Sequence, residues 1–345
     1  MRSLFCGREK EMVLLKAAWE RASNRDNPEP QLVVMVGESG LGKTRITQEF
    51  YNWLSTTHDA TEPKGYWPDD LGQEANNLKV NPEPEACDNN EPMPYLWWGV
   101  RLTDPTARNT IQAGSALNTY LGVLTPHLKP VLSRLREVER QVEGGKTLAM
   151  AALDVGLSFI PGAGALGSIK TGAEALYELV MLGKESSEDQ RTRTTGEIKA
   201  EEHKSQADMV LNALSTLVAG KSSLAATPAC LLIDDALFSR NDPGLSGFVE
   251  QLIARAFSQK WPLMIIVTHW QAEWNKDWEA ALPAPPTVAA AIRTQQPLMA
   301  ETWQPIELTP VDDLGPMLKR ALPGLLPEQC AGLLGRAGGK PTLYG

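Results

Sequence analysis

Gly37-Glu38-Ser39-Gly40-Leu41-Gly42-Lys43-Thr44 matches the pattern G-x-x-x-x-G-K-[ST] throughout. That spacing suits phosphate. Glycines let backbone N–H groups converge on phosphate oxygens, the lysine reaches the β and γ phosphates, and the adjoining hydroxyl binds Mg2+. The expected nucleotide contacts are therefore Gly37, Glu38, Ser39, Gly40, Leu41, Gly42, Lys43, Thr44 and the following Arg45, with Thr44 on the metal. A second signal, LLIDDALF (231–238), closes an apolar run with two adjacent aspartates. In phosphoryl-transfer sites a carboxylate on a neighbouring strand holds Mg2+, directly or through water. Asp234 ends the run, so it should emerge at the carboxyl edge of the sheet, near the phosphates. Asp235 is then placed to orient or deprotonate the attacking water. Alone, such a pair is often only a turn or helix cap; a complete loop upstream favours the chemical reading.

PLMIIVTHW (262–270) is a third apolar run with polar residues, Thr268 and His269, at its end. In phosphate-loop ATPases with an extra strand between the loop strand and the acid strand, this position senses the γ phosphate. Thr268 or His269 could do so, and a satisfied structural histidine is the competing reading for His269. The expected catalytic set is Lys43, Asp234, Asp235 and Thr268. Trp270, Trp274 and Trp278 fall at i, i+4 and i+8, a stripe that reads as packing in preference to ligand stacking.

The elements that must position these residues are legible in outline. Residues 8–23 read as an amphipathic helix, QLVVMV (31–36) as a buried parallel strand, and 44–57 as a helix. Residues 59–94 are rich in Pro, Asn, Asp and Glu without periodicity, which predicts a long surface insertion. YLWWGVRL (95–102) reads as a second strand, and 111–220 as mostly helical. Within that stretch, 148–182 is apolar but split by Asp154 and Pro161-Gly162, leaving each half too short to span a bilayer. It reads as a buried helical hairpin, with a membrane-active hairpin as the alternative. A helix (209–219), a strand (229–234), a helix (245–258) and a strand (262–269) follow. The expected fold is α/β: a P-loop NTPase parallel sheet flanked by helices, with a large helical insertion and a small C-terminal helical segment. The core should comprise 1–58 and 209–307, interrupted by 59–110 and 111–208 and followed by 308–345.

Composition narrows the partners. The chain has 345 residues, 42% of them apolar, enough for a large core. Its net charge of −9 argues against sequence-independent DNA binding, which depends on phosphate neutralisation by Lys and Arg. Cys6, Cys87, Cys230 and Cys330 are scattered, which fits a reducing cytosol and no zinc site. MRSLFCGREKEM carries no apolar signal region. A cytoplasmic protein without a membrane partner is expected.

Three further stretches carry a resemblance. LFCGREKEMVLLKAAW resembles the opening segment of AAA+-related ATPases, including the STAND signalling ATPases, in which it folds over the adenine. DDALFSRNDPGLSGFVEQLI resembles their D-D-x-x-x-x-D-P segment, and Gly339-Lys340-Pro341 resembles the STAND G-x-P motif. A helix cap followed by proline is the plainer reading of that last match. The resemblance covers about 1–58 and 209–345. It implies ATP and Mg2+ as ligands, Gly7, Arg8 and Pro341 beside the nucleotide, slow hydrolysis, and a nucleotide-controlled conformation. It also implies assembly with copies of itself or a partner protein. Asp235 stands where many AAA+ members have glutamate, while STAND members commonly have aspartate. Many members carry an arginine at the sensing strand, where THW has none; Arg240, Arg293 and Arg336 are the candidate cations. STAND proteins usually continue beyond G-x-P into helical modules and sensor repeats, whereas this sequence ends shortly after it. Two alternatives remain: a DNA-handling AAA+ ATPase similar to replication initiators, which needs a winged helix and a basic face, and a scaffold or membrane-perturbing protein using 148–182 with ATP as a structural ligand.

Overall fold

The computed structural model describes residues 5–58, 79–81, 95–102, 227–240, 243–281, 286–301 and 303–338, with 208, 211, 212, 214, 215 and 218. The 148–182 hairpin, nearly all of the 111–208 insertion and the Gly339-Lys340-Pro341 motif lie outside the described residues.

Among the described residues six strands form one sheet: β1 (Gln31–Gly37), β2 (Lys79–Asn81), β3 (Leu96–Arg101), β4 (Ala229–Asp234), β5 (Leu263–Trp270) and β6 (Ile306–Glu307). Their order is β2-β3-β4-β5-β1-β6. Five are mutually parallel, and β2 alone runs antiparallel on the β3 edge. β2 lies in the stretch expected to lack regular structure. Three residues are too few to show a period of two, and Val80 is the one β-branched residue among them. The central strands read as continuous apolar runs because both faces are covered; every residue of β4 is buried.

Alternation along the strands sorts the core into two layers. Leu32, Val34, Leu231, Ile233, Ile265 and Val267 face α3 (Pro243–Ser258) and α5 (Val288–Gln295). Met35, Leu232, Met264 and Ile266 face α1 (Glu9–Ala22) and α2 (Lys43–His58). Adjacent tryptophans on β3 show the period of two directly. Trp97 meets Tyr51 of α2 edge-on at 5.1 Å, whereas Trp98 meets Phe248 of α3 at 6.0 Å. Leu211, Leu214 and Val218, at helical spacing, are buried in the α3 layer, as the 209–219 helix requires.

β5 lies between β1 and β4, so the carboxyl ends of these three parallel strands share one edge. α4 (Gln271–Trp278) follows, with Trp274 stacked on Trp278 at 5.0 Å, and Trp278 lies 6.1 Å from Trp303. The stripe is packing at those two positions; Trp270, still in the strand, meets Phe238 instead. Beyond β6, α6 (Gly315–Ala321) and α7 (Pro327–Ala337) form a helical pair. Gly338 closes α7 in the left-handed conformation favoured by glycine (φ +54°). Among the described residues, no helix is long and apolar enough to cross a membrane.

Candidate functional site

The site forms where β1 turns into α2. Gly40 and Gly42 hold φ of +86° and +87°, left-handed values that larger residues adopt only with strain. They curl residues 37–44 so that Glu38 and Ser39 are exposed at the crest while Leu41 is buried. Lys43 opens α2 and is 95% buried by surface area (5% exposed). Its ammonium donates to the carbonyls of Gly37 and Glu38, both at 2.9 Å. Burial lowers the Lys43 pKa, opposed by the charges of Asp235 and Asp234.

Asp234 is the hub. Thr44 Oγ1 donates to its Oδ2 at 2.8 Å, and Thr268 Oγ1 donates to its Oδ1 at 2.6 Å. The Asp235 backbone N–H then donates to Thr268 Oγ1 at 2.8 Å. The Asp234 carboxyl is fully buried, and its pKa rises to about 6 through burial first and the Asp235 charge second. Its bonds to Thr268 and Thr44, and the Arg101 charge, act the other way. Asp235 sits in the left-handed region (φ +55°, ψ +48°), which Asp and Asn tolerate better than most residues.

Strand alternation separates Thr268 from His269. Thr268 points to the face of Asp234. His269 is buried on the opposite face, edge-on to Trp274 at 5.6 Å, with Nδ1 3.0 Å from the Trp270 carbonyl. Burial lowers its pKa, and its Nε2 finds no partner among the described residues.

Arg101 is the residue sequence reasoning missed. It pairs in register with Asp234 across β3 and β4. Its Nε lies 3.4 Å from Asp235 Oδ2 and 3.6 Å from Asp234 Oδ2. The signal available in sequence was a lone cation closing the apolar run YLWWGV. The three arginines singled out instead lie elsewhere: Arg240 pairs with Asp277, Arg293 donates to the carbonyls of Trp278 and Ala280, and Arg336 is exposed on α7. Arg45 turns along its own helix to Gln48 and Glu49.

Arg8, just before α1, adjoins the same loop, and Gly7 precedes it. Gly7 has φ +72°, and a Cβ there would stand 2.3 Å from Val311 Cγ1. Arg8 is buried; its Nη2 donates to Leu41 O at 3.0 Å and Thr309 O at 2.7 Å, and its Nη1 pairs with Glu11 at 3.0 Å. Pro341 lies outside the described residues.

The donor set fits Mg2+. This ion takes hard oxygen ligands such as a carboxylate and a hydroxyl, and keeps several waters or phosphate oxygens in its shell. Thr44 Oγ1 and Asp234 Oδ2 are 2.8 Å apart. Among the described residues no group of three His, Cys, Asp or Glu is gathered as a metal cage. An ion sharing its shell with phosphate and water needs none. No family model, curated protein or solved structure matches the chain.

Proposed function

We propose that the chain is a STAND-type switch that binds Mg2+ and ATP at residues 37–44 and hydrolyses the nucleotide slowly. The nucleotide state would set its conformation and its assembly with copies of itself or a partner. One observation carries the reading: a single buried carboxylate, Asp234, receives the hydroxyls of Thr44 and Thr268. Glycine loop, acid strand and interposed strand thus converge on one group, an arrangement suited to phosphoryl transfer and otherwise costly. A buried carboxylate with a raised pKa is expensive in a merely structural role.

In this reading the N–H groups of the loop bind phosphate, and Lys43 exchanges its two carbonyl partners for β and γ oxygens. Thr44 and Asp234 hold the ion, which when bound neutralises charge building on the phosphates. Asp235 orients the water and takes its proton. Thr268 ties the two positions together, donating a hydrogen bond to the Asp234 carboxylate and accepting one from the Asp235 backbone N–H. Arg101 lies against the Asp235 oxygen that would serve the water, which fits slow turnover.

Equilibrium binding of ATP with Mg2+ tests the assignment. Wild type should bind saturably. Lys43→Ala should bind about 10- to 100-fold more weakly, the worth of a charged hydrogen bond. Equal affinity in the two proteins would remove Lys43 from the phosphate site.

A further inference from the structure

Arg8 lies under the phosphate loop, and its guanidinium joins two distant backbone segments. Leu41 O belongs to the loop; Thr309 O belongs to the chain leaving β6 toward α6 and α7. Glu11, one turn along α1, fixes the guanidinium. At 5% exposure the Arg8 side chain is enclosed, so its bonds are little diluted by water. We infer that Arg8 is a mechanical clip through which phosphate in the loop seats the C-terminal helical pair on the core.

The direction of coupling follows from peptide geometry. Leu41 C=O and Gly42 N–H belong to one trans peptide, so they point opposite ways. When Arg8 holds Leu41 O, the Gly42 N–H is held facing away from Arg8. The loop pattern assigns that N–H to phosphate, and here the inference rests on the proposed nucleotide site. Phosphate and Arg8 then favour the same peptide orientation. Glycines at 40 and 42 make other orientations accessible in the empty loop. Each partner therefore strengthens the other, and by linkage the effect is reciprocal.

The far end of the clip is suited to move. Val311, Leu314 and Ala337, with Met317 and Leu334 against them, form a small cluster separate from the two large core layers. Leu318 of α6 is also buried, but among the described residues the cluster is small beside the two core layers, and segments with few apolar contacts open first. Where the pair meets the N-terminal turn, Gly7 packs without room for a Cβ beside Val311. Cys6 is the next residue toward the N-terminus from Gly7. Its thiol is partly buried and hydrogen-bonded to the Met317 backbone of α6, and its pKa is pushed up mainly by burial, then by the charges of Glu9 and Asp313. Unseating the pair would uncover it.

Cys6 is therefore the reporter. Its alkylation by iodoacetamide, resolved by peptide mass spectrometry, is followed with and without ATP and Mg2+. Cys230, wholly buried, reports global unfolding, and Cys330, partly exposed on α7, reports general reactivity. In wild type the nucleotide should slow Cys6 labelling by about tenfold, within the usual range of coupling between sites. In Arg8→Met, which keeps an unbranched apolar stem but no donors, the nucleotide should change Cys6 labelling less than about twofold, and its affinity should fall by about the same tenfold. Gly7→Ala perturbs the junction from the other side, without touching the loop. It should expose Cys6 and weaken nucleotide binding, and it serves if Arg8→Met labels at Cys230 as an unfolded chain does. Equal Cys6 protection in wild type and Arg8→Met overturns the clip while leaving the nucleotide site standing, as does unchanged affinity in a Gly7→Ala protein whose Cys6 is exposed. Failure of the wild type to bind nucleotide overturns the site and the clip together.

Discussion

Asp235→Asn should bind ATP with Mg2+ within about threefold of wild type and turn it over about 10²- to 10⁴-fold more slowly, the usual worth of a positioned base. The substitution isolates chemistry from structure. Asparagine has the same shape and is among the few residues at ease in the left-handed conformation recorded at this position (φ +55°). The Asp235 contact to Thr268 is made by the backbone N–H, so it survives. What is lost is the proton acceptor and one negative charge beside Arg101. Alanine is the poorer probe, since left-handed strain would unsettle the strand end. Phosphate release under saturating ATP, with affinity measured separately, checks the expectation. An Asp235→Asn protein that hydrolyses as fast as wild type has no water-activating role at this residue.

Much of this site was legible because its parts are local. The loop is eight consecutive residues, and β4 and β5 are apolar runs whose first polar residues mark the carboxyl edge. Thr268 and His269 could not be separated without the register. Once β4 and β5 are paired, Ile233 with Val267, alternation alone puts Thr268 on the acid side. Arg101 stayed hidden for the same reason: a cation ending a strand acquires meaning only when that strand is the neighbour of the acid strand. The resemblance places Arg8 beside the nucleotide; in the fold its guanidinium also donates to carbonyls 33 and 301 positions away. No window of sequence displays such a bond. β2 and β6, of three and two residues, are too short to carry a period and are set by the strands they flank.

Asp234→Asn should split stability from function. In the ligand-free fold, burial and the Asp235 charge raise the Asp234 pKa from an ordinary 3.8 to about 6. The folded state therefore holds a proton between those values that the unfolded chain has released. Its contribution to stability is complete below about pH 4 and is lost as pH rises through about 6. Above that, the fold carries a desolvated charge at a cost on the order of 2–3 kcal/mol. Asparagine removes the charge and keeps both neighbours bonded, with its amide oxygen accepting from Thr268 and its NH2 donating to Thr44. Without ligand, Asp234→Asn should be more stable than wild type by about 1–3 kcal/mol at pH 8, and the gap should close toward pH 4. With Mg2+ and ATP the order should reverse. Wild type would gain from an ion held by Asp234 and Thr44, whereas the variant lacks that charge and should lose turnover by about 10²- to 10³-fold. Urea unfolding from pH 4 to 8, with and without ligand, measures both halves. An Asp234→Asn protein less stable than wild type at pH 8 without ligand would show that the buried carboxylate supports the fold. The case for a charge retained at a structural cost in order to hold Mg2+ would then fall.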